Sequence, residues 1–154
     1  VYNYSDGSFT VREPFAANID LRGYKPFSND FNYQLTGRAG TQSVSGDARS
    51  RFMQDPTYGY VLSGTGFYVV LSKFGDGWTL NGDTNGKRFH CDVQRNFTDS
   101  YHIFDAGLNL SLQTGAMSAS VDGWYDKTQV GPMQLAILGT VAGILSQPKL
   151  RQNR

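Results

Sequence analysis

Residues 78–95 read WTLNGDTNGKRFHCDVQR. An Asn85-Gly86 pair sits between two runs that alternate apolar and polar side chains. A two-residue type I′ turn needs positive φ at both central positions, which Asn and Gly tolerate. Such a turn fixes a register in which Thr84 faces Lys87, Leu80 faces Cys91 and Trp78 faces Val93. One face then carries Trp78, Leu80, Phe89, Cys91 and Val93, and the other Thr79, Asn81, His90 and Asp92. Turn chemistry and hydrophobic pattern agree, so this stretch predicts an antiparallel hairpin with one dry and one wet face.

Reading on from the hairpin, NFTD (96–99) is the next expected turn. An even loop centred there sets Cys91 opposite Phe104, Val93 opposite His102 and His90 opposite Asp105. The apolar face continues through Phe104, Ala106, Leu108, Leu110 and Leu112, and resumes at Met117, Ala119 and Val121. Residues 78–121 are therefore expected to form a four-stranded meander.

Period two also dominates the N-terminal half. FTVRE (9–13), ANIDLRG (17–23), FNYQLTGRA (31–39) and QSVSGDARSRFM (42–53) read as strands. KPFSND (25–30) is an expected loop, and QDPTYG (54–59) and GDG (75–77) are expected turns. YVLSGTGFYVVLSKF (60–74) is two strands, or one strand bent at Gly64–Gly66. An aromatic-x-Leu-x-Gly pattern occurs at Tyr33–Gly37, Tyr60–Gly64 and Trp78–Gly82. In each, an aromatic and a Leu point one way and a Gly lets the strand bend, the device of curling sheets.

The period changes after DKTQVG. Pro132 suits the first turn of a helix, and MQLAILGTVAGILSQ (133–147) follows before Pro148. Apolar residues cover most of its circumference, so this helix must be buried on more than one side. Packing on its own sheet ranks first, a subunit interface second and a membrane contact last. For the interface, Leu135, Leu138, Gly139, Ala142 and Gly143 are the candidates, because Gly139-x-x-x-Gly143 admits a close backbone. The apolar run is shorter than the roughly twenty residues a membrane span needs.

Together these elements predict one all-β domain over residues 1–154, with about eight to ten antiparallel strands and one helix over about 132–147. An up-and-down barrel is preferred and two packed sheets are the alternative. The remaining residues, 148–154, carry Lys149, Arg151 and Arg154 and read as a solvated basic tail.

Composition narrows the chemistry. Aromatics make up 14% of the 154 residues and charged side chains only 18%. Fourteen basic and thirteen acidic residues leave a net charge of +1, which gives no footprint for nucleic acid. A single cysteine, Cys91, allows no internal disulfide. The first residue is Val1, as expected of a processed chain or a fragment; with a removed leader the protein would be secreted. Asn3, Asn96 and Asn109 head N-x-S/T sequons, which chance alone can supply in so Ser- and Thr-rich a chain.

Motifs for catalysis are sparse. His90 and Cys91 are adjacent and point to opposite faces of a strand, so with His102 they do not make a zinc set. His90 and Asp105 could supply a base and an acid, but no G-x-S-x-G nucleophile, phosphate loop or G-x-G-x-x-G is present. The reading leans against an enzyme and calls for no metal or cofactor. Two function classes lead. A binding module would hold a small apolar or aromatic ligand lined by Trp78, His102, Phe104, Tyr33 and Tyr60. A self-assembling structural subunit of a shell, filament or coat would use the apolar helix as a homo-oligomer interface. The first needs a cavity of roughly 300 Å³ or more; the second needs a filled core and more than about 1,000 Å² buried between copies.

Overall fold

A computed structural model describes residues 1–3, 8–13, 18–25, 32–52, 55–97, 99–105, 107–147 and 150. The chain is all-β with one C-terminal helix. A two-residue strand β1 (Tyr2–Asn3) precedes β2 (Phe9–Glu13), β3 (Ile19–Tyr24), β4 (Tyr33–Ala39), β5 (Gln42–Phe52) and β6 (Asp55–Gly64). Then come β7 (Phe67–Phe74), β8 (Gly77–Thr84), β9 (Lys87–Phe97), β10 (Ser100–Asp105), β11 (Leu108–Gln113) and β12 (Ser120–Tyr125), followed by α1 (Pro132–Leu145). The twelve strands form one antiparallel sheet whose spatial order is the sequence order. It is one sheet, not two packed ones.

The sheet curls without closing into a barrel. Among the described residues no ladder joins β12 to β1 or β2, so the expected closure is not made. Among the described residues the two ends are joined by backbone hydrogen bonds at β1. There Asn3 N–H donates to the Met117 carbonyl and Ala119 N–H to that of Val1, at 2.8 and 2.9 Å.

Strand alternation places the core. In β3, Ile19 and Leu21 are buried while Asp20 and Arg22 are exposed. The inward face collects Phe9, Leu21, Tyr33, Leu35, Tyr60, Leu62, Leu71, Leu80, Ile103 and Leu112, all essentially inaccessible. Outward positions carry Asp20, Arg22, Arg38, Arg49 and Arg88, the reverse of the apolar outer band of a lipid-spanning barrel. The aromatic-x-Leu-x-Gly device recurs as expected. Tyr33, Tyr60 and Trp78 turn inward with Leu35, Leu62 and Leu80. At Gly37, Gly64 and Gly82 a side chain would strike the carbonyl oxygens of Asp20, Ser45 and Tyr68 on the next strand. Only glycine lets the neighbouring backbones come this close, which tightens the curl.

Helix α1 lies inside the curl. It packs on β2, β3 and β4 from one end of the sheet and on β12 from the other. Every residue of it except Pro132 and Leu135 is buried, as an all-round apolar helix demands. The capping is spare: Gly131 is the N-cap, and the Gln134 side chain accepts from its N–H. Among the described residues, no helix is long and apolar enough to cross a membrane.

Three sequence expectations are corrected. Residues 55–59 belong to β6 rather than to a turn. The stretch 100–112 is two strands, because a turn with Gly107 at φ 83° divides it. That turn explains why inward positions switch from odd (Tyr101, Ile103) to even (Leu108, Leu110, Leu112). Finally, β9 runs on to Phe97 and the β9–β10 pairing shifts register between Ser100 and Tyr101. Val93 therefore faces Ile103, not His102, and Asp92 faces Phe104. The expected loop at 25–30 falls, from residue 26 onward, outside the described residues, as do Pro148, Lys149 and 151–154 of the tail.

Candidate functional site

The five residues expected around a ligand fall into two groups. Tyr33 and Tyr60 are core. Their rings stand 6.3 Å apart, and Phe9 packs on Tyr33 at 5.1 Å. The Tyr60 hydroxyl accepts a 2.8 Å bond from Gln147 Nε2 just beyond α1. The Tyr33 hydroxyl has no partner among the described residues, and burial followed by the charge of Tyr60 raises its pKa. These rings are buried and pack on one another and on Phe9.

His102 and Phe104 sit on the outer face. The one-residue register shift turned both over, since a slip of one exchanges the faces of a strand. His102 Nε2 lies 2.6 Å from Asn109 Oδ1, and its ring is 5.1 Å from that of Phe104. His90 likewise has Asp92 as its nearest acid, at 4.0 Å, rather than Asp105.

Phe104 and Trp78 do meet at one place. A pocket of about 430 Å³ opens where the β7–β8 turn lies over β9 and β10. Phe74, Gly75, Asp76, Gly77 and Trp78 line it from the turn, Asp92 to Arg95 from β9, and Phe104 from β10. The turn is held close: a side chain on Gly77 would strike the Val93 carbonyl oxygen. Phe74, at 73% exposure, is the most open large apolar residue described. Trp78 is buried, its indole N–H has no acceptor among the described residues, and Lys73 Nζ lies 4.8 Å from its ring centre. Burial and then the charge of Arg95 lower the Lys73 pKa, with Asp76 opposing them. The pocket thus offers aromatic residues and charges of both signs at the lip.

Phe74, Asp92 and Arg95 were not singled out from the sequence. The signal that could have found them is the pair of aromatics flanking the GDG turn, Phe74 and Trp78.

The interface candidates lie inside the protein. Leu138, Gly139, Ala142 and Gly143 are buried, with Gly139 against Val11 and Gly143 against Phe9. Leu135 alone is half-buried. The small residues make room for the Val11 and Phe9 side chains of β2 in the same chain, not for a neighbouring backbone.

Cys91 is fully buried between Leu80 and the inward face of β10. Burial, then Asp105 and Asp92, push its thiol up to about 12. A thiol so placed is a small hydrophobe rather than a nucleophile. Among the described residues, no group of three His, Cys, Asp or Glu side chains is placed to hold a metal. No protein-family model, curated protein or solved structure matches the chain.

Proposed function

We propose that the chain is a non-enzymatic binding module that takes a small apolar or aromatic molecule at the pocket walled by Phe74, Trp78 and Phe104. One observation carries the reading: an exposed Phe74 and Phe104 line the same concavity of about 430 Å³. Such volumes suit small ligands, and clustered exposed aromatics at a concavity mark binding surfaces.

The test uses 1-anilinonaphthalene-8-sulfonate as the probe and a Trp124→Phe background, in which Trp78 is the only indole. Saturable energy transfer from Trp78 to the probe is expected. Phe104→Ala should weaken it by about tenfold, the loss of one aromatic contact surface. Equal binding with and without Phe104 overturns the assignment.

A self-assembling structural subunit is the second reading. The exposed Tyr58, Tyr68 and Trp124 favour it. Light scattering over a concentration series separates the two: a mass that grows with concentration supports assembly, and a constant monomer rejects it.

A further inference from the structure

Helix α1 begins without the acceptors that a helix start needs. Its N-cap is Gly131, which has no side chain to accept with, and its first turn carries no acid. Pro132 brings no N–H, and Gln134 Oε1 is taken by the Gly131 N–H. The N–H groups of Met133 and Gln134 remain, two of the donors that the first turn of a helix leaves over. Among the described residues neither has an acceptor. Both residues are buried, where an unpaired donor asks for a partner from outside the chain.

A cavity of about 380 Å³ lies at this end of the helix. Met133 and Gln134 line it together with Thr84, Lys87 and Lys127. Thr84 is the last residue of β8 and points inward, on the side of Trp78 and Leu80. It is only 3% exposed, and its hydroxyl has no hydrogen bond among the described residues. This buried hydroxyl comes from a different element of the fold, yet it meets the same cavity as the two orphan N–H groups. Lys87 faces Thr84 across the turn. Its ammonium gives one N–H to the Gln129 carbonyl at 3.3 Å and keeps two. Among the described residues neither Lys87 nor Lys127 forms an ion pair, and none of those lining the cavity is acidic. Asp126, next to Lys127 in the chain, turns its carboxylate to Thr128 and Gln129. The side-chain amides of Gln42 and Asn85, also among the walls, satisfy each other at 2.8 and 2.9 Å. What is left over is a set of donors: two N–H groups, a hydroxyl and two ammonium groups.

We propose that this cavity is an oxyanion site whose ligand is a phosphate group, held by the start of α1, the Thr84 hydroxyl and the two lysines. A helix N-terminus favours negative charge and aims its N–H groups at it. Lysines add attraction as point charges. Donors converging from α1, β8 and β9 match the several oxygens of a tetrahedral anion rather than the two of a carboxylate. The site lies at the opposite end of β8 from Trp78, so it stands or falls independently of the aromatic pocket.

The test is an NMR titration of the 154-residue chain with inorganic phosphate at neutral pH, with ionic strength held constant by sodium chloride. The amides of Met133 and Gln134 should shift together and saturate, while those of Leu80 and Cys91 stay still. Thr84→Val keeps the shape of the side chain and removes its hydroxyl. It should weaken binding about tenfold, the scale of a hydrogen bond to a charged group. Lys127→Gln, at an exposed position that leaves the fold untouched, should weaken binding about threefold. Shifts that do not saturate, or that chloride alone reproduces, overturn the proposal and leave an adventitious ion only. Equal affinity in the parent and both variants also overturns it. Saturation by acetate at the same concentrations overturns the assignment to phosphate.

Discussion

Gln147 Nε2 donates a 2.8 Å hydrogen bond to the hydroxyl of Tyr60, 87 positions earlier in the chain. The same nitrogen reaches the Ile144 carbonyl oxygen at 2.9 Å. This buried contact ties the end of α1 to the middle of β6. Tyr33, one ring away, buries its hydroxyl without a partner among the described residues. Two tyrosines in one cluster therefore carry opposite hydrogen-bond balances.

Removing each hydroxyl should act with opposite sign. Tyr60→Phe breaks a buried bond and should cost about 1 kcal/mol, or more where Gln147 is left short of an acceptor. Tyr33→Phe removes an unpaired buried polar group and should be neutral or stabilising by up to about 1 kcal/mol. Urea unfolding midpoints of the two variants check this. An equal loss in both would show that Tyr33 is hydrogen-bonded in solution.

The glycines of α1 should resist alanine. In an ordinary helix interior Gly→Ala gains about 1 kcal/mol. Here a Cβ at Gly143 would lie 2.6 Å from the Phe9 ring, and one at Gly139 would strike Val11 Cγ1. Overpacking of this kind costs about 1–3 kcal/mol. Gly139→Ala and Gly143→Ala should each destabilise by denaturant unfolding. A gain in stability would mean that the helix stands farther from β2.

Alkaline pH should weaken the fold through Cys91. Unfolded, its thiol ionises near the ordinary value of 9.0; folded, only at about 12. Between these values the unfolded chain releases a proton that the native state keeps, so stability falls as pH rises. The slope is about 1.4 kcal/mol per pH unit for one such group. Tyr33, raised in the same direction by burial, adds to the fall at the upper end. Cys91→Ala should start from a lower stability, because it leaves a small void, and show a shallower decline with pH. Parallel declines in the two proteins would show that the thiol ionises normally in the folded state.

The opening hairpin was legible in full. Thr84–Lys87, Leu80–Cys91 and Trp78–Val93 pair as the turn dictated, and Asn85 and Gly86 take φ of 51° and 79°. Two-residue turn chemistry and strand parity are local and agree, so nothing distant is needed to fix them. The next pairing was not legible. A register shift adds a residue without altering the hydrophobic pattern of either strand, and it carried His102 and Phe104 to the outer face. Phe104 reached a pocket nonetheless, but from outside. The destination of α1 was equally hidden. An all-round apolar helix demands burial and does not say by what; only the curl of the sheet puts Phe9 and Val11 against Gly143 and Gly139.

The central claim is that α1 packs inside the curl, so that a ligand of the kind proposed would bind at the outer pocket rather than at Tyr33 and Tyr60. Native-state hydrogen exchange tests it most directly. The amides of Leu138 to Ala142 should exchange only through global unfolding, with the same opening free energy as those of Leu80 and Cys91. Exchange of the helix through a separate, lower-energy opening that leaves β8 and β9 protected would contradict the claim. The interior would then be accessible, and Tyr33 and Tyr60 would again be candidates for lining a ligand cavity.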